Sequence, residues 1–182
     1  MKTHVLAILI SGLMFSGSVI KAQTSTAKMP VDTETKLITY KEVVTTTGTP
    51  ADLFIRAIAW VNKQYKNAAD ATKVRDPETG LIEIIHRFEI TKVEKGTILL
   101  AGVVDYSLKL ELKDGRYRYT ISSFNLKSVS RQPIEQWMDK NSQTYTPDWD
   151  DYLKQLDDQT RKLIDGLKLA MQPPAVKKPD TW

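Results

Sequence analysis

The segment from Ile98 to Tyr119 constrains the fold most, because two alternating runs meet there at an Asp-Gly turn. Apolar residues occupy every second position on both sides of Asp114-Gly115, as in half-buried strands. Asp-Gly is typical of the type I′ turn of a two-residue hairpin, which pairs Lys113 with Arg116. The sequence therefore predicts an antiparallel hairpin with one apolar face.

Both faces of this hairpin support the predicted register. On the polar face it pairs Glu111 with Arg118, two residues of opposite charge. A slip of one residue would scramble both faces. On the apolar face it pairs Leu112 with Tyr117, Leu110 with Tyr119 and Leu108 with Ile121.

The register fails at Phe124, which would lie opposite Asp105 on the polar face. An extra residue in one strand shifts the side chains that follow it to the other face. We therefore predict a β-bulge near Ser122-Ser123 that returns Phe124 and Leu126 to the core.

Alternation predicts further strands at residues 37–46, 71–75, 81–91 and 98–112. The turn between the strands at 71–75 and 81–91 covers residues 76–80, which contain a Pro and a Gly, both typical of turns. In the two longest strands, alternate positions are predicted to face the core: Ile82, Ile84, His86, Phe88 and Ile90 in one, and Ile98, Leu100, Gly102, Val104, Tyr106, Leu108, Leu110 and Leu112 in the other.

Two amphipathic helices are predicted, each after a Thr-Pro pair. The first begins at Thr49-Pro50 and runs to about Lys66, with Thr49 as its N-cap. Trp60 lies beside its apolar stripe and is interpreted as a flank of the packing face, with a binding anchor as the alternative. The second begins at Thr146-Pro147 and runs to Met171. Residues 128–145 are predicted to be a loop with one helical turn at 133–137.

The element order is therefore β-α-β-β-β-β-α. Consecutive hairpins favour an α+β fold in which an antiparallel sheet of about five strands carries two helices on one face. Residues 37–171 form the single domain in this interpretation. Residues 23–36 are predicted to be a linker, and residues 172–182 a disordered tail.

The first twenty-two residues have the three parts of a secretory signal peptide: a basic start, an apolar run and small residues near Ala22. The apolar run is interrupted too early to form a membrane anchor. Cleavage is expected after Ala22, with Ser18 as the alternative. The mature chain is therefore predicted to be exported, periplasmic or secreted, without a membrane span.

The chain has no cysteine, which excludes disulfides, thiolate metal sites, a cysteine nucleophile and a lipid-modified cysteine. The exported protein is therefore not a lipoprotein. Removal of residues 1–22 lowers the formal charge from +4 to +2. A nearly neutral chain with interspersed charges does not favour nucleic-acid binding. Tyr117 and Tyr119 alternate with arginines, but the predicted register places both tyrosines in the core.

Candidate catalytic groups are few. His86 is the only histidine after the leader, and its apolar strand favours a structural role over that of a general base. No serine has a nucleophile motif, and the acidic residues 148–151 lack the spacing of a calcium loop. These acidic residues lie at the N-terminus of a predicted helix, where the helix dipole favours negative charge, so no ligand is needed to account for them. No catalytic residue, cofactor or metal site is therefore predicted.

Several features together resemble a known family of small exported bacterial proteins. They are the leader, the helix start at Thr49-Pro50, the hairpin at 114–118 and the closing segment 163–168. The family is known as a domain of unknown function with a TBP-like fold. The resemblance covers residues 37–171 and implies an antiparallel sheet with two helices on one face. It implies no activity, and fold alone does not imply DNA binding.

Two functional hypotheses follow. The first is a non-enzymatic binding module of the cell envelope, whose partner is a protein, a glycan or a small ligand. Its interaction face is the free face of the sheet, with an ordinary solvated face as the alternative interpretation; the candidate residues are Arg87, Asp105, Lys109, Glu111 and Arg118. The second is a hydrolase of an envelope glycan that uses two carboxylates, with Glu83, Glu89 and Asp105 as candidates.

Overall fold

The computed structural model describes residues 28–174. The predicted signal peptide and the end of the predicted tail lie outside these residues. The elements follow the predicted order, with two short additions, α2 and β6. The helical turn predicted at residues 133–137 is a 3₁₀ turn. The bounds of the elements are β1 Tyr40–Thr45, α1 Pro50–Gln64, α2 Ala68–Ala71, β2 Thr72–Asp76, β3 Leu81–Glu94, β4 Thr97–Lys113, β5 Arg116–Leu126, β6 Gln132–Pro133, the 3₁₀ turn Ile134–Met138 and α3 Asp148–Ala170.

The strands form one antiparallel sheet in the order β1-β5-β4-β3-β2. Strand β6 pairs with the last residues of β5, beyond the end of β1. The predicted register of β4 and β5 is confirmed, from Lys113 opposite Arg116 to Leu108 opposite Ile121. Helix α3 packs on β3 and α1 packs on β4. The fold is therefore α+β, with the helices on one face of the sheet and the other face open.

The turn type at Asp114-Gly115 differs from the prediction. Only Gly115 of the two central residues has a positive φ, of 66°, whereas a type I′ turn needs a positive φ at both. The chain after β1 holds this turn, since Gly115 accepts a bond from Thr46 and donates one to Gly48. The type I′ pattern occurs instead at Lys95-Gly96, with φ of 50° and 79°, between β3 and β4.

The predicted bulge in β5 is confirmed. Ser122 pairs with Ser107 and Asn125 pairs with Asp105, so two residues of β5 lie opposite Tyr106 alone. Ser123 takes up the extra length with a φ of 60°. The shift buries Phe124, which is 1% exposed.

The two helices begin differently although both follow a Thr-Pro pair. Thr49 and Asp52 form a capping box, in which the Thr49 hydroxyl accepts from the Asp52 amide at 3.2 Å and the Asp52 carboxylate accepts from the Thr49 amide at 3.0 Å. Helix α3 has no side-chain cap, and Thr146 contributes only its carbonyl oxygen, to Trp149. The Thr-Pro pair therefore marks both starts but caps only one.

Both helices bury the stripes predicted for them. Helix α3 buries one stripe along its length: Leu153, Leu156, Thr160, Leu163, Ile164 and Leu167. Each buried Leu or Ile contributes about 1.5–3 kcal/mol. Trp60 of α1 is 5% exposed and belongs to the core, which agrees with its predicted role in packing. The core face of the sheet contributes Ile82, Ile84, Ile90, Val104, Tyr106, Leu108, Leu110, Leu112, Tyr117, Tyr119 and Ile121.

The last part of the predicted linker, residues 29–36, packs on the domain. Met29 is buried, and Val31 forms a β-bridge with Ile38. The carboxylate of Asp32 accepts hydrogen bonds from the amides of Glu34 and Thr35 and so closes a turn at residues 32–35. The polar composition of this segment therefore comes from a turn that joins the fold, and the prediction of a linker does not hold for these residues.

Candidate interaction surface

The five residues of the predicted interaction face lie on the open face of the sheet, and they are largely neutralised by cross-strand partners. Arg118 donates two bonds of 2.6 Å to the carboxylate of Glu111, which lies directly opposite. This hydrogen bonding lowers the pKa of Glu111. Lys109 lies 3.8 Å from Glu83, and Arg87 is opposite Asp105. Opposite charges in register leave little net charge to attract a charged ligand.

The three acids considered for hydrolysis are not brought to one point. Glu83 lies opposite Lys109, four residues along β4 from Asp105, which corresponds to about 13 Å. Glu89 lies opposite Val103 and is thus a diagonal neighbour of Asp105, with about 7–8 Å between the Cα atoms. Only Glu89 and Asp105 are therefore close enough to act as a pair, and Arg87 lies directly opposite Asp105.

His86 is half-buried at the side of the core, so the prediction that it lies on the core face holds only in part. Its ring centroid lies 4.8 Å from that of Tyr65 and 6.3 Å from that of Tyr106. The two tyrosine hydroxyls are 3.2 Å apart, and burial raises the pKa of Tyr106 to about 12. Burial also lowers the pKa of His86. The imidazole is therefore an aromatic packing partner.

The strands β3 and β4 continue past their neighbours as a two-stranded ribbon. Strand β2 pairs with β3 only as far as Ile84, and β5 pairs with β4 only from Val104 onward. Beyond these points the ribbon ends at the Lys95-Gly96 turn. Most of residues 85–94 and 97–103 therefore have one strand neighbour instead of two.

The end of this ribbon presents aliphatic side chains to solvent. Val93 is 72% exposed, Ile98 is 72% exposed and Leu100 is 61% exposed. Val93 pairs with Ile98, and Leu100 follows two positions along the same strand, so the three share one face. We call these three residues the apolar ribbon end. A contiguous exposed apolar patch is typical of an interaction site.

Helix α3 holds the ribbon in place through side-chain amides. The Gln155 side chain accepts from the Thr91 amide at 3.0 Å and donates to the Thr91 carbonyl at 2.8 Å. Gln159 donates to the Glu89 carbonyl at 3.2 Å. A two-stranded ribbon is marginally stable alone in water, so these contacts from α3 give the ribbon its support.

The exposure of Ile98 and Leu100 contradicts their predicted place on the core face. Ile90 pairs with Gly102 whereas Thr91 pairs with Leu100, so Ala101 is an extra residue in β4. This bulge changes the face on which the earlier residues of β4 lie. A sequence signal was present, because the small residues Ala101-Gly102 interrupt an aliphatic strand, and glycine inside a strand often marks a bulge.

Within residues 28–174 there is no group of three or more His, Cys, Asp or Glu side chains that could hold a metal ion. No helix in the same part of the chain is long and apolar enough to cross a membrane.

The fold and this surface define an α+β protein in which helices cover one face of the sheet and strands β3 and β4 project as a ribbon. Residues 40–127 match the family described as a domain of unknown function (DUF4468) with TBP-like fold, and they are a domain of this family. The match confirms the resemblance predicted from the sequence. It spans β1 to β5, and therefore includes the ribbon.

Two solved structures have the same fold. A TBP-like protein from Parabacteroides distasonis superposes with a TM-score of 0.60 and 14% identity, over 74% of this chain and 92% of that chain. A DUF4468 family protein from Bacteroides ovatus superposes with a TM-score of 0.61 and 12% identity, over 78% of this chain and 90% of that chain. At these identities the likeness shows the fold alone. No curated protein matches this chain.

Proposed function

We propose that this chain is an exported, non-enzymatic interaction protein of the cell envelope that binds its partner through the apolar ribbon end. The observation that carries the proposal is the exposure of Val93, Ile98 and Leu100 on a ribbon that α3 supports. The charged residues farther along the same face, including Arg87 and Asp105, are expected to orient the partner without providing most of the affinity.

A protein partner fits this surface better than a glycan does. The side chains of the apolar ribbon end carry no hydrogen-bonding groups, whereas a sugar presents hydroxyls that need partners. Binding an apolar protein surface would remove all three side chains from water, which is the main source of affinity in such interfaces. We therefore expect the partner to present an apolar groove or patch.

The experiment compares three forms of the mature chain as bait in envelope extract. The native form should retain a specific partner, and Ile98→Asp should lose it, because a carboxylate would be buried in the interface. Val129→Asp is the matched control, since Val129 is a fully exposed valine in the loop after β5. Equal retention of the partner by all three forms would contradict the proposed surface.

Export is supported by the sequence pattern of residues 1–22. N-terminal sequencing of the protein isolated from the envelope or medium should give a start near Gln23. An intact Met1 on exported protein would contradict the predicted signal peptide.

The alternative is the glycan hydrolase. Its remaining carboxylate pair is Glu89 and Asp105, and Glu89 lies on the exposed face of the ribbon. We favour the interaction protein because a hydrolase needs one carboxyl protected from water to keep its proton. Hydrolysis of an envelope glycan that is lost in both Glu89→Gln and Asp105→Asn would favour the alternative.

A further inference from the structure

A second surface lies between the two long helices, away from the ribbon. Helices α1 and α3 border a groove of about 730 Å³. Small residues line it where the helices approach each other: Ala59, Gly166 and Ala170. Ile55 and Leu169 stand at its sides and are 68% and 71% exposed. The groove is therefore an apolar channel open to solvent.

Trp60 places a hydrogen-bond donor in this groove. Its side chain is 5% exposed and lines the groove. The side-chain hydrogen bonds within residues 28–174 include none from the indole N–H, and its nitrogen is not one of the fully buried atoms without a partner in this part of the chain. The N–H therefore reaches the solvent in the groove, where a bound acceptor could replace water as its partner.

Gly166 keeps the indole N–H uncovered. It lies inside α3, where glycine costs about 0.5–1 kcal/mol relative to alanine. A Cβ at Gly166 would lie 3.6 Å from Trp60 Nε1, which is ordinary contact, and would meet no other atom within 4 Å. Helix packing therefore does not require glycine here. Its effect is to leave the donor open to the groove.

The charges that line the groove favour an anion. Lys63 lies one turn after Trp60 on α1, is exposed, and forms no ion pair with any residue in 28–174. Arg56, at the other end, donates to the carbonyl oxygens of Thr47 and Met171, and its charge is offset by the carboxylate of Asp52 one turn earlier. That carboxylate is held by the amide and hydroxyl of Thr49, so Lys63 is the charge that favours an anion.

We propose that this groove binds an anionic amphiphile, a carboxylate on a hydrocarbon chain. The carboxylate accepts a hydrogen bond from the Trp60 indole N–H and pairs with Lys63. The hydrocarbon chain lies along the small residues, between Ile55 and Leu169. This site is separate from the apolar ribbon end, so either proposal can fail without the other.

The test is calorimetric titration of the chain 23–182 with laurate, below its aggregation concentration, and with dodecyltrimethylammonium. The two probes share one hydrocarbon chain and differ in charge. We expect laurate to saturate one site and to bind at least about tenfold more tightly than the cation. Lys63→Gln should remove most of this difference, whereas Lys162→Gln, the same change at an exposed lysine of α3 outside the groove, should preserve it.

Two further variants place the site in the groove. Gly166→Leu should abolish laurate binding by filling the space before Trp60. Trp60→Phe should weaken it while keeping an aromatic ring in the core. Thermal melts of both variants should confirm that they remain folded. If Gly166→Leu unfolds the chain, loss of laurate affinity in Trp60→Phe and Lys63→Gln still decides the question.

Three outcomes would overturn the proposal. One is non-saturating binding of both probes, as expected of a detergent. Another is laurate binding only after residues 175–182 are removed, which would assign the groove to the chain's own last segment. The third is concentration-dependent dimerisation that Gly166→Leu abolishes, without laurate binding, which would assign the groove to a second copy.

Discussion

The side-chain amide of Gln155 pairs with the backbone of Thr91 as a neighbouring β-strand would, with one bond accepted at 3.0 Å and one donated at 2.8 Å. The two residues are 64 positions apart in the chain. The pair lies where β3 has lost β2 as a neighbour. A single glutamine thus takes the place of a strand beside the outer part of the ribbon, where Thr91 pairs with Leu100.

Gln155→Ala should therefore loosen the ribbon. The two backbone groups of Thr91 would lose their partners, at a cost of about 1 kcal/mol in unfolding free energy because water can reach a partly buried site. Hydrogen exchange should be faster at the Thr91 amide than in the native chain. Gln159→Ala is the control, since it removes one bond of 3.2 Å and should have a smaller effect. Unchanged exchange at Thr91 in Gln155→Ala would contradict this role.

Charge reversal should test the register of β4 and β5 in solution. Glu111→Arg alone places two arginines opposite each other and should lower the melting temperature. Adding Arg118→Glu should recover part of the loss, because the pair is restored in the opposite orientation. The effect is expected to be small, since both side chains are partly exposed. Additive single and double variants would mean that the two side chains do not interact.

Two glycines with positive φ should differ in their tolerance of alanine. Gly80 has a φ of 68°, and a Cβ there would overlap the carbonyl oxygen of Leu112. Gly96 has a φ of 79° and open space around it. Chemical denaturation should give a loss of about 1–2 kcal/mol for Gly96→Ala, from backbone strain alone. Gly80→Ala should lose about 2–5 kcal/mol, because overpacking adds to the strain. Equal losses would contradict the close contact at Leu112.

The stability of the mature chain should depend on pH through His86. Burial lowers the pKa of the folded imidazole below its ordinary value of 6.5, so protonation costs the folded state more than the unfolded chain. Stability should therefore fall as the pH decreases through about 6.5. His86→Gln should remove this dependence between pH 7.5 and 5.5, measured by thermal melting. Any partner binding should persist in the folded variant. Loss of binding without loss of stability would make His86 a site residue.

The two Thr-Pro pairs provide a matched test of capping. Thr49→Ala removes the hydroxyl of a capping box and should cost about 1 kcal/mol of unfolding free energy. Thr146→Ala should cost less, because the Thr146 hydroxyl does not cap α3. Chemical denaturation of the two variants compares them directly. Equal costs would show that Thr146 caps its helix in solution.

Local pattern was enough to predict the element order, the register at Glu111 and Arg118, and the bulge that buries Phe124. These features depend on alternation and on contacts between residues close in the chain. The sequence also predicted that Trp60 flanks the packing face of an amphipathic helix, and the structure places it in the core.

Contacts between distant segments decided the rest. The bulge at Ala101 exposed Ile98 and Leu100, and Gln155 supports the ribbon from the other end of the chain. The turn at Gly115 took its conformation from the strand end at Thr46 and Gly48. The groove beside Trp60 is completed by Gly166 of another helix, which is distant in the chain. Periodicity reports which side of an element is apolar, but which surfaces stay uncovered depends on where the other elements end.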